Sequence, residues 1–406
     1  MTGGPASPSL ARVAAGDLCA GCGLCAALAP DAVTIEDRDG WLRPRQTGAL
    51  DAKAEAAIAA ACPGLGLAQQ ADGRPDHPLW GPIVGARTGH ATDPALRRQA
   101  SSGGGISALL THLLATGEVD FVLQTGASDS NPLANATVIS RDGAAVGLAA
   151  GSRYAPSAPL AGIEALLAGD ARFAFVGKPC DVAALRALSR RDPRVDARVP
   201  YMLSFFCAGV PSLRGAEKVV EALGFRPDEV TAFRYRGDGW PGQAKAVGPG
   251  GETRGMSYAD SWGDILSRHV QFRCKICPDG TGGFADVVCA DAWETDAAGY
   301  PLFEEGAGTS MILSRTPAGE TLVRAAEAAG RLETSAFDPE AIGPMQPGQL
   351  GRRRFALARL AAMALFGRPR PRYRGFHLAA AARQAGLMRN LRDFLGMAKR
   401  LRRARR

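Results

Sequence analysis

The chain has 406 residues, of which 46% are apolar and 22% charged, with a formal net charge of +8. Such values belong to a globular protein of two or more packed units and exclude a collagen, a wholly disordered chain and a small disulfide scaffold. Arginines or prolines interrupt every apolar run before the roughly 18 residues of a membrane span, and the opening MTGGPASPSLAR lacks the apolar core of a secretion signal, so a cytoplasmic protein is expected.

Residues 1–75 read as a small cysteine-bearing unit. In DLCAGCGLCAALAP, Cys19, Cys22 and Cys25 form C-x2-C-x2-C. Three thiolates so spaced on a tight loop can hold three corners of an iron–sulfur cube. Gly21 and Gly23 let the backbone curl and turn its N–H groups towards the sulfides. The stretch AVTIEDRDGWLRP predicts a hairpin turning at Asp39-Gly40. A helix, DAKAEAAIAAAC, then delivers Cys62, which precedes Pro63 and completes a ferredoxin-like ligand set. The competing structure is a zinc site, but zinc usually takes two C-x2-C arms. The Gly- and Pro-rich GLAQQADGRPDHPLWGP reads as a linker.

From residue 84 strands alternate with helices, which predicts an α/β fold with a mixed α+β sheet core. The expected parts are 84–165 and 166–345. In the first, RQASSGGGISALLTHLLATGEVDFVLQTG gives a loop, a helix near 103–116 and a strand at 119–124, and ATVISRDG a further strand. The helix GIEALLAG, the strand RFAFVG, the helix DVAALRALSR, the strand YMLSFFCAG and the helix SLRGAEKVVEALG follow. EVTAFRYRG and QAKAVGPGGETRGMSY resemble an antiparallel addition; FADVVCADAW and TSMILSRT are strands, and PAGETLVRAAEAAG a helix.

Several features of this region can carry chemistry. Ser101-Ser102-Gly103-Gly104-Gly105 opens a helix, and free N–H groups, the helix dipole and glycines together suit an anion such as a flavin pyrophosphate. Cys180 and Cys207 each follow an apolar strand, at the sheet edge where ligands gather. Cys274 and Cys277 form a second C-x2-C. By spacing alone these four are either a second cluster site or two core thiols beside a zinc-binding or metal-free pair. Cys289 reads as core. Lys178, one of six lysines, either neutralises a cluster or phosphate or is a surface residue. In RYRGDGWPG, Trp240 and Arg236 either meet a flat ring and an anion or belong to a tight turn. No Ser-His-Asp set, Walker loop or HExxH is present, and of five histidines His90 lies just upstream of the serine–glycine loop. Arg236, Trp240 and His90 are the catalytic candidates.

Residues 346–406 form a basic helical tail. Seventeen of the 48 basic residues but one of the 40 acids (Asp393) lie in 352–406, giving +16 there and −8 for 1–351. The tail is expected to lie at the inner face of an anionic membrane, to dock an acidic protein, or to rest on its own acidic body. No nucleic-acid reading motif accompanies the charge, so no nucleic-acid partner is expected.

Taken together, CAGCGLC with its later CP, SSGGGISALL, SRYAPS (152–157), VGKPCD, FFCAGVPS, YRGDGWPG, CKICPD and FADVVCADAW resemble the motifs of the coenzyme F-420 hydrogenase/dehydrogenase beta-subunit family. Its relatives include the 7-hydroxymethyl chlorophyll a reductases and the ferredoxin-dependent divinyl chlorophyllide reductases. The motifs occur in the family's order over residues 15–330. The resemblance implies an iron–sulfur flavoprotein with non-covalent FAD and one or two [4Fe–4S] clusters. Cys19, Cys22, Cys25 and Cys62 would hold the first, and Cys180, Cys207, Cys274 and Cys277 the second. Ser101, Ser102, Gly103, Gly104, Arg153, Tyr154 and Lys178 would hold the flavin. Chlorophyll-reducing relatives tend to carry a VGYMG-like stretch where this chain has VVCADAW, and nothing marks a deazaflavin site. The implied function is an oxidoreductase that passes electrons from a ferredoxin-like low-potential donor through the clusters to FAD and on to a small organic substrate. The alternatives are an electron-transfer subunit of a hydrogenase or formate dehydrogenase complex, and a zinc-stabilised interaction protein.

Overall fold

The computed structural model describes residues 5–296 and 301–403. Helix α1 (Pro8–Gly16), capped by the Ser7 side chain, leads into the cysteine loop and α2 (Leu24–Leu28). The expected hairpin forms as β1 (Val33–Arg38) and β2 (Trp41–Gln46). Asp39 and Gly40 both take positive φ in its turn, as a two-residue hairpin of matching twist requires. α3 (Ala52–Ala61), capped by Asp51, ends on Cys62.

The chain then builds β3 (Gly85–Ala91), α4 (Gly105–Ala115), β4 (Phe121–Ala127), β5 (Asn135–Ser140), β6 (Phe173–Val176), α5 (Pro179–Ser189), β7 (Tyr201–Phe205) and α6 (Leu213–Ala222). The expected antiparallel addition is a separate sheet of β8 (Ala232–Arg234), β9 (Ala244–Val247) and β10 (Thr253–Met256). β11 (Val287–Asp291), β12 (Ser310–Ser314), α7 (Pro317–Ala328) and β13 (Leu332–Ala336) complete the body.

Eight strands form one mixed sheet in the order β13-β3-β12-β11-β7-β6-β4-β5. β4, β6, β7 and β11 are parallel, and the flanking pairs are antiparallel. Side chains alternate between two apolar layers: Phe173, Phe175 and Met202 face α5, while Ala174, Val176 and Leu203 face α4 and α7. Each fully buried side chain of this size contributes about 2 kcal/mol, so the two layers pin the strand register. The parallel strands β6, β7 and β11 all end at one edge, and the segments that follow them carry Lys178–Cys180, Cys207–Gly209 and Ala292–Trp293.

Two regions differ from the sequence expectation, and the basic tail takes one of the three courses expected of it. β3, with the sequence GARTGHA, has no apolar alternation, yet it is a central strand between β12 and β13. Gly89 explains why a glycine-bearing stretch is used, since a Cβ there would stand 2.2 Å from the Glu333 carbonyl oxygen. The expected linker is packed: Trp80 is buried against Ala290, Met311 and Leu313, and Gly66–Ala68 pairs in parallel with Arg372–Arg374. The basic tail folds onto the body as α8 (Pro347–Leu365), α9 (Leu378–Ala385) and α10 (Leu387–Arg403). Leu360, Met363, Met397 and Leu401 share a core with Val13, Leu18 and Ile276. Among the described residues no helix is long and apolar enough to cross a membrane.

Candidate functional site

The first cysteine group is assembled largely by local structure. Gly21 (φ 78°) and Gly23 (φ 84°) curl the loop so that Cys19, Cys22 and Cys25 face one side, and Gly23 lies so near the backbone N of Ala161 that a Cβ would stand 2.9 Å from it. The Gly21 N–H donates to Cys19 Sγ at 3.4 Å. α3 brings Cys62 to the same place, and the four cysteines line a cavity of about 30 Å³ walled by Leu10, Leu24, Ile35, Ile58 and Pro63. Burial pushes the Cys25 thiol up to about 12 and Cys62 to about 11, and it raises Cys19 and Cys22 as well. Four such thiols become thiolates only around a cationic centre. Four thiols around one apolar hollow are a donor set of the kind that zinc and iron–sulfur clusters both use.

The second group is assembled from distant segments. Cys180 lies in the first turn of α5, Cys207 just beyond β7, and Cys274 and Cys277 at and after the short helix Phe272–Lys275. Cys180 is within electrostatic reach of Cys207 and Cys274, and Cys207 of Cys274 and Cys277. Burial raises Cys180 and Cys277 and pushes Cys207 to about 12. Gly209 (φ 122°) lets the walls close, since a Cβ there would lie 2.6 Å from Val270 Cγ1 and 3.2 Å from Cys274 Cβ. The tail supplies braces that no sequence motif announced. Gln349 Nε2 donates to the Cys207 carbonyl at 3.1 Å, and Arg352 donates to the carbonyls of Cys274 and Ala208.

Arg273 stands between the two groups. Its side chain is buried, its Nη2 donates to the Pro63 carbonyl at 2.9 Å, and its guanidinium lies 5.6 Å from the centre of the Tyr373 ring. Its charge is felt by Cys19 and Cys62 on one side and by Cys277 on the other. Burial opposes the charge, while the neighbouring Tyr373, Cys277, Cys180 and Cys274 act in the other direction, and the guanidinium's pKa lies above its ordinary value. Nε and Nη1 have no hydrogen-bond partner in the protein, an arrangement that otherwise costs about 1–3 kcal/mol per group.

Beside the second group, the sheet edge opens into a cavity of about 260 Å³. Ser101, Ser102, Gly104, Arg153, Tyr154, Lys178, Cys207 and Arg236 all contribute to its lining. The first turn of α4 borders it, with Gly105 N–H donating to Ser310 Oγ at 3.3 Å. Lys178 is buried at 7% exposure, with Nζ 2.7 Å from Asp181 Oδ2 and 2.8 Å from Ser157 Oγ. Burial alone would lower its pKa, but Asp181, Cys180 and Cys207 outweigh burial and keep it protonated. Arg153 braces the wall by donating to Asn135 Oδ1 and to the carbonyls of Pro132 and Ala134. Cys289 belongs to the core and also reaches the cavity wall.

Other sequence candidates take different places. Arg236 reaches the cavity, but its guanidinium is held by Asp291 in two bonds of 2.8 and 2.6 Å and stacks over Tyr258 and Trp293. Trp240 lies behind it, stacked on Trp293 at 4.8 Å and donating to Asp291 Oδ1 at 2.7 Å, so its ring is engaged within the protein. Gly103 packs against the Gly89 carbonyl and Ser310, behind the lining. His90 faces Glu333 across β3 and β13 at 3.9 Å, away from the cavity lining. Tyr258, Trp262 and Trp293 form the aromatic wall instead. Of these, Trp293 falls within the FADVVCADAW motif.

Comparison with known proteins places these features in context. The model of the coenzyme F420 hydrogenase/dehydrogenase beta subunit N-terminal part matches residues 86–164, and that of the C terminus matches 170–340. The beta subunit of an F420-dependent formate dehydrogenase 1 from Methanococcus maripaludis is 25% identical over 255 residues. The match covers 62% of this chain and 62% of that relative. A chain in the xenon-derivatised F420-reducing [NiFe] hydrogenase complex of Methanosarcina barkeri is similar in fold, with a TM-score of 0.50 and 20% identity. That likeness covers 70% of this chain and 96% of the other.

Proposed function

Because the chain belongs to the coenzyme F420 hydrogenase/dehydrogenase beta-subunit family, we propose that it is an electron-transfer subunit of an oxidoreductase. It would carry single electrons through two cysteine-held [4Fe–4S] centres to a flavin-type carrier in the sheet-edge cavity. One observation carries this reading: Cys207 belongs both to the second cysteine group and to the cavity wall. Arg273 lies between that group and the first. Both cysteine groups fit clusters by their donor chemistry, and Gly209 leaves the space a side chain would fill.

When bound, FAD would join one-electron to two-electron chemistry. Lys178, paired with Asp181 and bonded to Ser157, would bring an ammonium donor to the carrier rather than an unbalanced charge. The first turn of α4 offers N–H groups and a helix dipole for a phosphate. The aromatic wall of Tyr258, Trp262 and Trp293 would hold a flat ring and exclude water. Arg236, neutralised by Asp291, would shape this wall rather than take a substrate charge.

The family comparisons support the role of a subunit within a larger complex better than that of a stand-alone ferredoxin-dependent reductase. Anaerobic purification followed by metal and flavin analysis tests the reading. About eight irons per chain, visible absorbance that bleaches with dithionite, and FAD released on denaturation are expected. A colourless protein with stoichiometric zinc would overturn it.

A further inference from the structure

Outside the first cysteine group the surface sinks into a recess of about 500 Å³. Alanines at the end of α3 and on the face of α5 line it together with Leu65, Leu67 and Phe284, with Cys62 among them. Cys62 is the one predicted cluster ligand that borders both this recess and the thiol-lined hollow behind it. Four exposed arginines stand around the recess: Arg12, Arg190, Arg372 and Arg374. Among the described residues none of the four pairs with a carboxylate, and no acidic side chain lines the recess. In an adjoining hollow, by contrast, Arg74 is neutralised by Asp72 at 3.1 Å. The four arginines come from α1, the C-cap of α5 and the strand Arg372–Arg374, so tertiary packing, not a basic run, concentrates them.

We propose that this arginine-rimmed recess over Cys62 is the docking surface for a small acidic electron-carrier protein. The inference rests on the reading of the first cysteine group as a cluster site and names where electrons cross the surface. A rim of unpaired charge steers an oppositely charged partner and sets its orientation. The alanines of its lining, Ala59, Ala60, Ala61, Ala183 and Ala187, let the partner's surface approach the ligand closely. Redox encounters of this kind are small and salt-sensitive. In the step, the reduced carrier loses one electron and the cluster held by Cys62 gains it, with no bond made or broken.

The test is stopped-flow reduction of the iron-loaded protein by a reduced acidic ferredoxin, over a salt series. The triple variant Arg190→Glu, Arg372→Glu, Arg374→Glu is expected to slow the second-order rate by about tenfold or more, with iron content and dithionite reduction unchanged. Ala60→Glu, which places a negative charge in the recess, is expected to slow it in the same sense. An equal charge change on α10, Arg389→Glu, Arg392→Glu, Arg402→Glu, is expected to leave the rate within twofold. The proposal is overturned if the recess variants, iron-loaded, accept electrons from ferredoxin as fast as the native chain. It is also overturned if the α10 variant slows equally, which would reduce the effect to net charge. Absence of iron from the native chain would sink the cluster reading itself, and the docking surface with it.

Discussion

Replacing Arg273 with glutamine tests whether the buried guanidinium couples the two cysteine groups. The residue touches Pro63, next to Cys62, and is itself next to Cys274. Its charge therefore lies on the order of 8 Å from each group, where Coulomb's law at an effective dielectric of about 20 gives roughly 2 kcal/mol per added electron. At about 59 mV per tenfold change for a one-electron couple, removing the charge should lower the reduction potential of each centre by about 90 mV. Glutamine keeps a donor for the Pro63 carbonyl, so the fold is expected to survive. Redox titration followed by electron paramagnetic resonance, with iron content as the control, reads the shift directly. Potentials unchanged in a fully loaded variant would refute the electrostatic argument. A shift in one centre alone would show that Arg273 serves only that centre.

Gly209→Ala places a Cβ into Val270 and Cys274 at a φ of 122°, a strain of about 1–3 kcal/mol; iron analysis should show about half the native content, while full content would contradict the close approach. Glu320 is held down to about 2 by bonds from Arg87, against burial, with Ser314 and Arg324 adding to the effect. Its folded value lies below the unfolded one near 4.5, so its contribution is complete above that pH and lost as pH falls through about 2. Discounted for partial exposure, this amounts to about 1–2 kcal/mol. Urea unfolding of Glu320→Gln should show that deficit at pH 7 and a vanishing one near pH 2, and an unchanging gap would rule the pairing out. Removing residues 347–406 takes away Gln349, Arg352 and the partners of Ile276; the shortened chain should lose the second centre or aggregate, and retention of full iron would show the tail to be dispensable.

The sequence alone determined what depends on near neighbours. Cys19, Cys22 and Cys25 lie close in the chain, Gly21 and Gly23 turn their loop, and α3 is short and well capped, so the first thiol hollow was legible from spacing. The strand and helix alternation likewise follows from local apolar period, and the motif order carried the family. Tertiary structure decided the rest. β3 lacks an apolar alternation because its place is set by partners on both sides, with Gly89 admitting β13. His90 and Trp240 stood near probable sites in the chain, but strand register turned one towards Glu333 and stacking took the other to Trp293. Arg273 reaches Pro63 across 210 residues of chain, and Gln349 and Arg352 reach Cys207 and Ala208 across 142 and 144, and no local pattern encodes such distances. The charge divides in the same way. Composition showed a +16 tail, whereas packing revealed that part of it, with Arg12 and Arg190 from elsewhere, surrounds Cys62. The physical reason is that spacing governs atoms on one loop or helix, while contacts between distant segments depend on how the apolar layers of the sheet bring them together.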